Sequence, residues 1–129
     1  MNRLNKILFL LSLLVIFSCN NEEYMKNGLV GKYYNNFEEN VTHYVQLNDD
    51  NTYLHYYKNP QENIERENKG EWKFIESDKK NEIMFSDWIS FGIYEKEGCS
   101  GCLWSVKLKK GELFFSLDLR EEMNFYKKD

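Results

Sequence analysis

The stretch Val41-Thr-His-Tyr-Val-Gln-Leu-Asn-Asp-Asp-Asn-Thr-Tyr-Leu-His-Tyr-Tyr57 decides how the chain folds. Val41, His43, Val45 and Leu47 alternate with Thr42, Tyr44 and Gln46, the period of two expected of a half-buried strand. The Asn and Asp residues from Asn48 to Asn51 then form a turn signal, and a second strand-like run resumes at Thr52. If Asp49 and Asp50 form the hairpin tip, Val45 and Leu54 share the inner face. His43 then points inward and His55 outward, so the only two histidines do not converge on a metal. A bulge at Asn51 would alter that register and exchange the faces.

The same alternation recurs downstream. Trp72 and Phe74, Ile83 and Phe85, Trp104, Val106 and Leu108, and then Leu113, Phe115, Leu117 and Leu119 are each interleaved with other residues. Turn signals lie at 48–51, Asn59-Pro60, Lys69-Gly70, 78–81, 98–101 and Lys110-Gly111. Strands are therefore expected near residues 29–35, 41–47, 52–58, 70–75, 82–88, 90–95, 103–109 and 112–118, with a closing strand near 122–127. The chain contains no alanine and is rich in aromatic and β-branched residues, which is poor helix material and good strand material. An all-β antiparallel meander of about eight strands follows. Such a meander hides its edges by closing into a barrel or half-barrel. Trp72, Phe74, Ile83, Phe85, Val106, Leu108, Phe115 and Leu117 are expected to share its buried face.

Gly31-Lys32-Tyr33, then Leu47-Asn48-Asp49-Asp50-Asn51-Thr52-Tyr53, then Gly70-Glu71-Trp72 resemble the lipocalin-like domains of small bacterial lipoproteins. That pattern has a glycine two before an aromatic, a turn of the type D-G-T-Y, and a second glycine two before a tryptophan. Here Tyr33 stands where tryptophan is usual and Asn51 where glycine is usual, and asparagine tolerates the left-handed conformation such a turn needs. The resemblance covers about the first half of the expected domain and implies a barrel. It implies little about activity, because a fold does not determine a function.

The N-terminus points to export. Arg3 and Lys6 precede an apolar run from Ile7 to Phe17 broken only by Ser12, too short to remain as a spanning helix. Ile16-Phe17-Ser18-Cys19 resembles a bacterial lipobox, with Phe17 at a position where a smaller residue is usual. The expected organisation is a lipoprotein signal peptide over 1–18, the acylated Cys19 with a tether over 19–28, and a lipocalin-like β domain over 29–129. Asn20 is not the aspartate that retains some lipoproteins in the inner membrane, so an outer-membrane address is favoured. Loss of Arg3 and Lys6 with the signal leaves 15 basic residues against 21 acidic ones, a net charge of −6. That charge disfavours nucleic acid and leaves membrane attachment to the acyl chains, palmitate among them.

Cys99-Ser100-Gly101-Cys102 is the sharpest local motif. In an oxidising envelope a disulfide is the expected state, with free thiols, a redox centre or half a zinc site as the other readings. Glu38-Glu39, Asp49-Asp50 and Glu121-Glu122 sit at turns or strand ends, and neighbours along a strand face opposite ways, so they are poorly placed to act together. There is no nucleophile elbow, no paired-histidine zinc helix and no phosphate loop. No catalytic residue, metal or cofactor is expected. The role expected is non-catalytic binding of a small apolar ligand, with Tyr33, His43, Tyr56 and Trp72 as contacts. The alternative is a protein-interaction or inhibitor module that meets another envelope protein through an aromatic-rich sheet face.

Overall fold

In a computed structural model of the chain, residues 27–78, 80–92, 102–115 and 124–128 are described. They contain eight strands: β1 (Gly31–Tyr34), β2 (Thr42–Leu47), β3 (Thr52–Asn59), β4 (Ile64–Ser77), β5 (Lys80–Ser86), β6 (Leu103–Lys109), β7 (Glu112–Phe114) and β8 (Phe125–Lys127). Each pairs antiparallel with the next, and β8 returns to β1 to close the barrel in sequence order. The meander expected from the alternation is the observed topology. The expected signal, Cys19, most of the tether, Leu117 and Cys99 lie outside the described residues.

The β2–β3 hairpin closes in a different register from the one expected. Val45 lies opposite His55, and Leu47 opposite Tyr53. The cause is local. Asn51 adopts φ 66°, a left-handed conformation that asparagine tolerates better than most residues. Leu47 thereby pairs with Tyr53, one residue beyond the Thr52 that a tip at Asp49 and Asp50 would set opposite it. The loop is held by Asn48 N–H donating to Thr52 O at 2.9 Å and by the Asp50 carboxylate, which accepts from Thr52 N–H at 3.0 Å and from its hydroxyl at 2.6 Å. Because side chains alternate, a shift of one residue turns the whole of β3 over. Tyr53, His55 and Tyr57 are buried, and Leu54 faces outward.

β4 is much longer than the 70–75 strand expected, and the Lys69-Gly70 turn signal lies inside it. Its first half, Ile64 to Glu71, pairs with β3, and its second half, Trp72 to Ser77, pairs with β5. Gly70 sits where the strand changes partners. A Cβ there would lie 2.6 Å from the carbonyl oxygen of Ser86 and 2.8 Å from the Tyr53 ring, so the glycine serves close approach of a neighbouring strand. The strand expected over 90–95 is not formed over its described part. Asp87 turns to φ 51°, ends β5 and sends residues 88–92 across the barrel as irregular chain.

The core runs through the barrel. Trp72, Ile83, Phe85 and Val106 are buried as expected, and Phe74, Leu108 and Phe115 pack partly buried against them. At one end a helical turn over residues 27–29 places Leu29 in the core. It is fastened by Tyr33, whose hydroxyl donates to Leu29 O at 2.7 Å, and by Lys127, whose ammonium donates to Gly28 O and Val30 O. Residues 27 and 28, assigned to the tether by sequence, thus adjoin the body of the barrel.

Candidate functional site

The corrected register brings the two histidines together. His43 on β2 and His55 on β3 are diagonal neighbours on the inner face, and their Nε2 atoms lie 2.8 Å apart. The sequence expectation that they would not converge is overturned by the conformation of Asn51. His55 Nδ1 is 2.9 Å from the carbonyl oxygen of Ile89, which can only accept, so this nitrogen carries the proton. In a neutral ring His55 Nε2 is then a bare acceptor, and His43 must donate to it from Nε2. His43 Nδ1 is left as a lone pair, buried and without a hydrogen-bond partner.

The surroundings keep both rings neutral. Trp88 and Phe91, carried inward by the irregular segment after β5, each stack on His55 at centroid distances of 4.2 and 4.5 Å. Tyr57 and Phe125 meet His43 edge-on at 5.1 and 4.8 Å. Burial lowers the His43 pKa to about 4. Burial also lowers that of His55 well below its ordinary value, helped by the neighbouring His43 and opposed by the bond to Ile89. Among the described residues no group of three or more His, Cys, Asp or Glu is placed to hold a metal.

Tyr33, His43 and Trp72 of the expected ligand contacts face the interior, whereas Tyr56 lies on the outside. They do not form one site. Tyr33 and Trp72 are occupied structurally, since Trp72 Nε1 donates to Asn48 O at 2.9 Å and thereby ties β4 to the β2–β3 turn. Tyr53, Asn68 and the loop after β5 form a second internal brace. The Tyr53 hydroxyl lies 2.7 Å from Ser86 O and 2.9 Å from Asn68 Oδ1, which also accepts from Ile89 N–H. The lumen is thus filled with rings.

The outer face carries the other aromatic group. Strand pairing sets Tyr126, Tyr34, Tyr44 and Tyr56 side by side across β8, β1, β2 and β3. Tyr44 and Tyr56 stack at 5.1 Å, and Tyr34 meets Tyr44 at 6.0 Å. Lys32 lies over the Tyr44 ring at 4.5 Å and Lys128 over Tyr34 at 5.1 Å, in cation–π contact. At one end of the row Tyr56 donates to Glu65 at 2.7 Å, and this bond, foremost, raises its pKa to about 12. Sequence reasoning singled out Tyr56 and missed its partnership with Tyr126, which lies far off in sequence. Only the strand pairing aligns them.

An open cleft of about 1330 Å³ lies on another side, bounded by the β2–β3 turn, the second half of β4, β5 and Leu103. Cys102 precedes β6 and accepts from Asp87 N–H at 3.0 Å through its backbone carbonyl. The proposed bond to Cys99 falls outside the described residues. Comparison of the chain with family models, curated proteins and solved structures finds no match.

Proposed function

We propose that this protein is a cell-envelope lipoprotein with a lipocalin-like barrel, anchored through acylated Cys19, whose role is non-catalytic recognition of another envelope protein. The binding surface is the tyrosine row on β8, β1, β2 and β3. One observation carries this reading: the lumen is packed with rings around the His43–His55 pair, whereas four tyrosines are gathered on the outside. A small apolar ligand needs an internal cavity, and the cleft found borders the β2–β3 turn and β4–β5, away from that pair. Tyrosine offers large rigid contact area at low entropic cost, which suits a protein interface.

The test places a photoreactive phenylalanine analogue at Tyr44 or, as control, at exposed Lys109 on β6. Irradiation in cells is expected to give one adduct of defined mass from position 44 and none from 109. Equal adducts, no adduct, or a stoichiometric small molecule extracted from the purified protein would overturn the assignment. The anchor is tested separately: Cys19→Ser should release the protein from the membrane fraction, and retention at unchanged mobility contradicts it. Mass spectrometry under non-reducing conditions should find Cys99 and Cys102 joined, and two alkylated thiols would contradict that.

A further inference from the structure

Among the described residues, the change of partners within β4 leaves part of that strand with one open side. β3 ends its pairing at Thr52 opposite Glu71, and β5 takes over at Trp72. Trp72 N–H still points to the β3 side, where it donates to Asn51 O at 2.7 Å, and Glu71 N–H points the other way, to the Ser86 hydroxyl. Along a strand the backbone groups alternate in direction. Phe74 and Glu76 therefore present N–H and C=O on the same side as Trp72, beyond the point where the chain of β3 has turned away at 48–51. Lys73, Ile75 and Ser77 point to β5 and are paired there. The open edge borders the cleft whose lining, among the described residues, includes Glu71, Glu76 and Asp78 against Lys73, with Ile75 among its apolar contacts.

We infer that the β4 edge from Lys73 to Ser77 is a docking site for an extended, basic segment of a partner protein, which adds to the sheet as a further strand. Backbone pairing to Phe74 and Glu76 would supply attachment, and the acidic rim would select lysine and arginine side chains. A second copy of this chain fits poorly, because edge-to-edge pairing would set the same acidic rims against each other. The site is independent of the tyrosine row, which lies on other strands.

The experiment uses the full lipoprotein in detergent and two synthetic peptides, one alternating lysine with valine and threonine, the other with glutamate replacing lysine. In the free protein the Phe74 and Glu76 amides should exchange hydrogen much faster than those of Lys73 and Ile75. The basic peptide should slow them, and the acidic one should not. Glu76→Pro removes one edge donor as well as the carboxylate, without touching the β5 ladder, and should weaken the basic peptide about threefold to tenfold beyond Glu76→Gln, the worth of one hydrogen bond. Glu76→Gln keeps the donor and should retain the exchange protection with weaker, less salt-sensitive binding. The inference is overturned if these amides are already slow in the free protein, or if both peptides act alike. Protection that appears without peptide as protein concentration rises would assign the edge to a second copy and also overturn it. None of these outcomes bears on cross-linking at Tyr44.

Discussion

β2 and β3 carry two sets of aromatic and imidazole rings on opposite faces, and the contrast between the sets explains the molecule. Inside, Tyr53, His55 and Tyr57 meet Trp88, Phe91, Phe85 and His43, and their polar atoms reach fixed partners, Ser86 O, Ile89 O and Glu38. Outside, half-buried Tyr44 and Tyr56 stack on each other, with Lys32 above the Tyr44 ring. Residues one position apart thus do different work. The inner set holds the fold, because unpaired polar groups are costly there, and the outer set is free to meet a partner.

That contrast can be broken first by truncation. Trp72→Ala removes a buried ring and the bond that ties β4 to the β2–β3 turn, and should cost about 3 to 5 kcal/mol in denaturant unfolding. Tyr44→Ala should cost less than about 1 kcal/mol, since only surface stacking is lost, while abolishing the proposed contact. Comparable losses would erase the distinction.

Acid above the carboxylate range probes the inner set. The folded His43 pKa of about 4 lies below its ordinary 6.5, so the proton favours the unfolded chain. Stability should be flat above pH 6.5 and fall as the pH drops towards 4, by on the order of 3 kcal/mol from His43, with His55 adding in the same direction. Replacing both histidines with leucine should flatten that segment of the profile, read from denaturation midpoints against pH. An unchanged slope would place the histidines in water.

A smaller effect belongs to the turn that sorts the two faces. Asn51→Val should cost about 1 to 2 kcal/mol, because a β-branched residue resists the left-handed conformation, and Asn51→Gly should be nearly neutral. If valine is as well tolerated as glycine in thermal unfolding, the turn does not control the register.

Much of the fold was legible. Alternation at Ile83 and Phe85, at Val106 and at Leu113 marked strands that are buried as read, and the Lys110-Gly111 pair forms the tight turn its composition implies, with φ of 51° and 75°. Gly70 misled, because close approach within a strand and a turn leave the same mark in a sequence. The site was less legible still. The facing of His55 depended on one backbone angle at Asn51, and Trp88 and Phe91 looked like strand residues although Asp87 turns them into the lumen. Their spacing of three, which suits no strand face, was the available signal.

The histidine pair joins all these elements, so the most direct measurement is nitrogen-resolved NMR of the two imidazoles as pH is lowered. The expected result is a single proton on Nε2 of His43 and on Nδ1 of His55, a through-bond coupling between the two Nε2 atoms, and no titration of either ring down to about pH 5. Ordinary titration of either ring near its unperturbed pKa of about 6.5, with no coupling, would contradict the account.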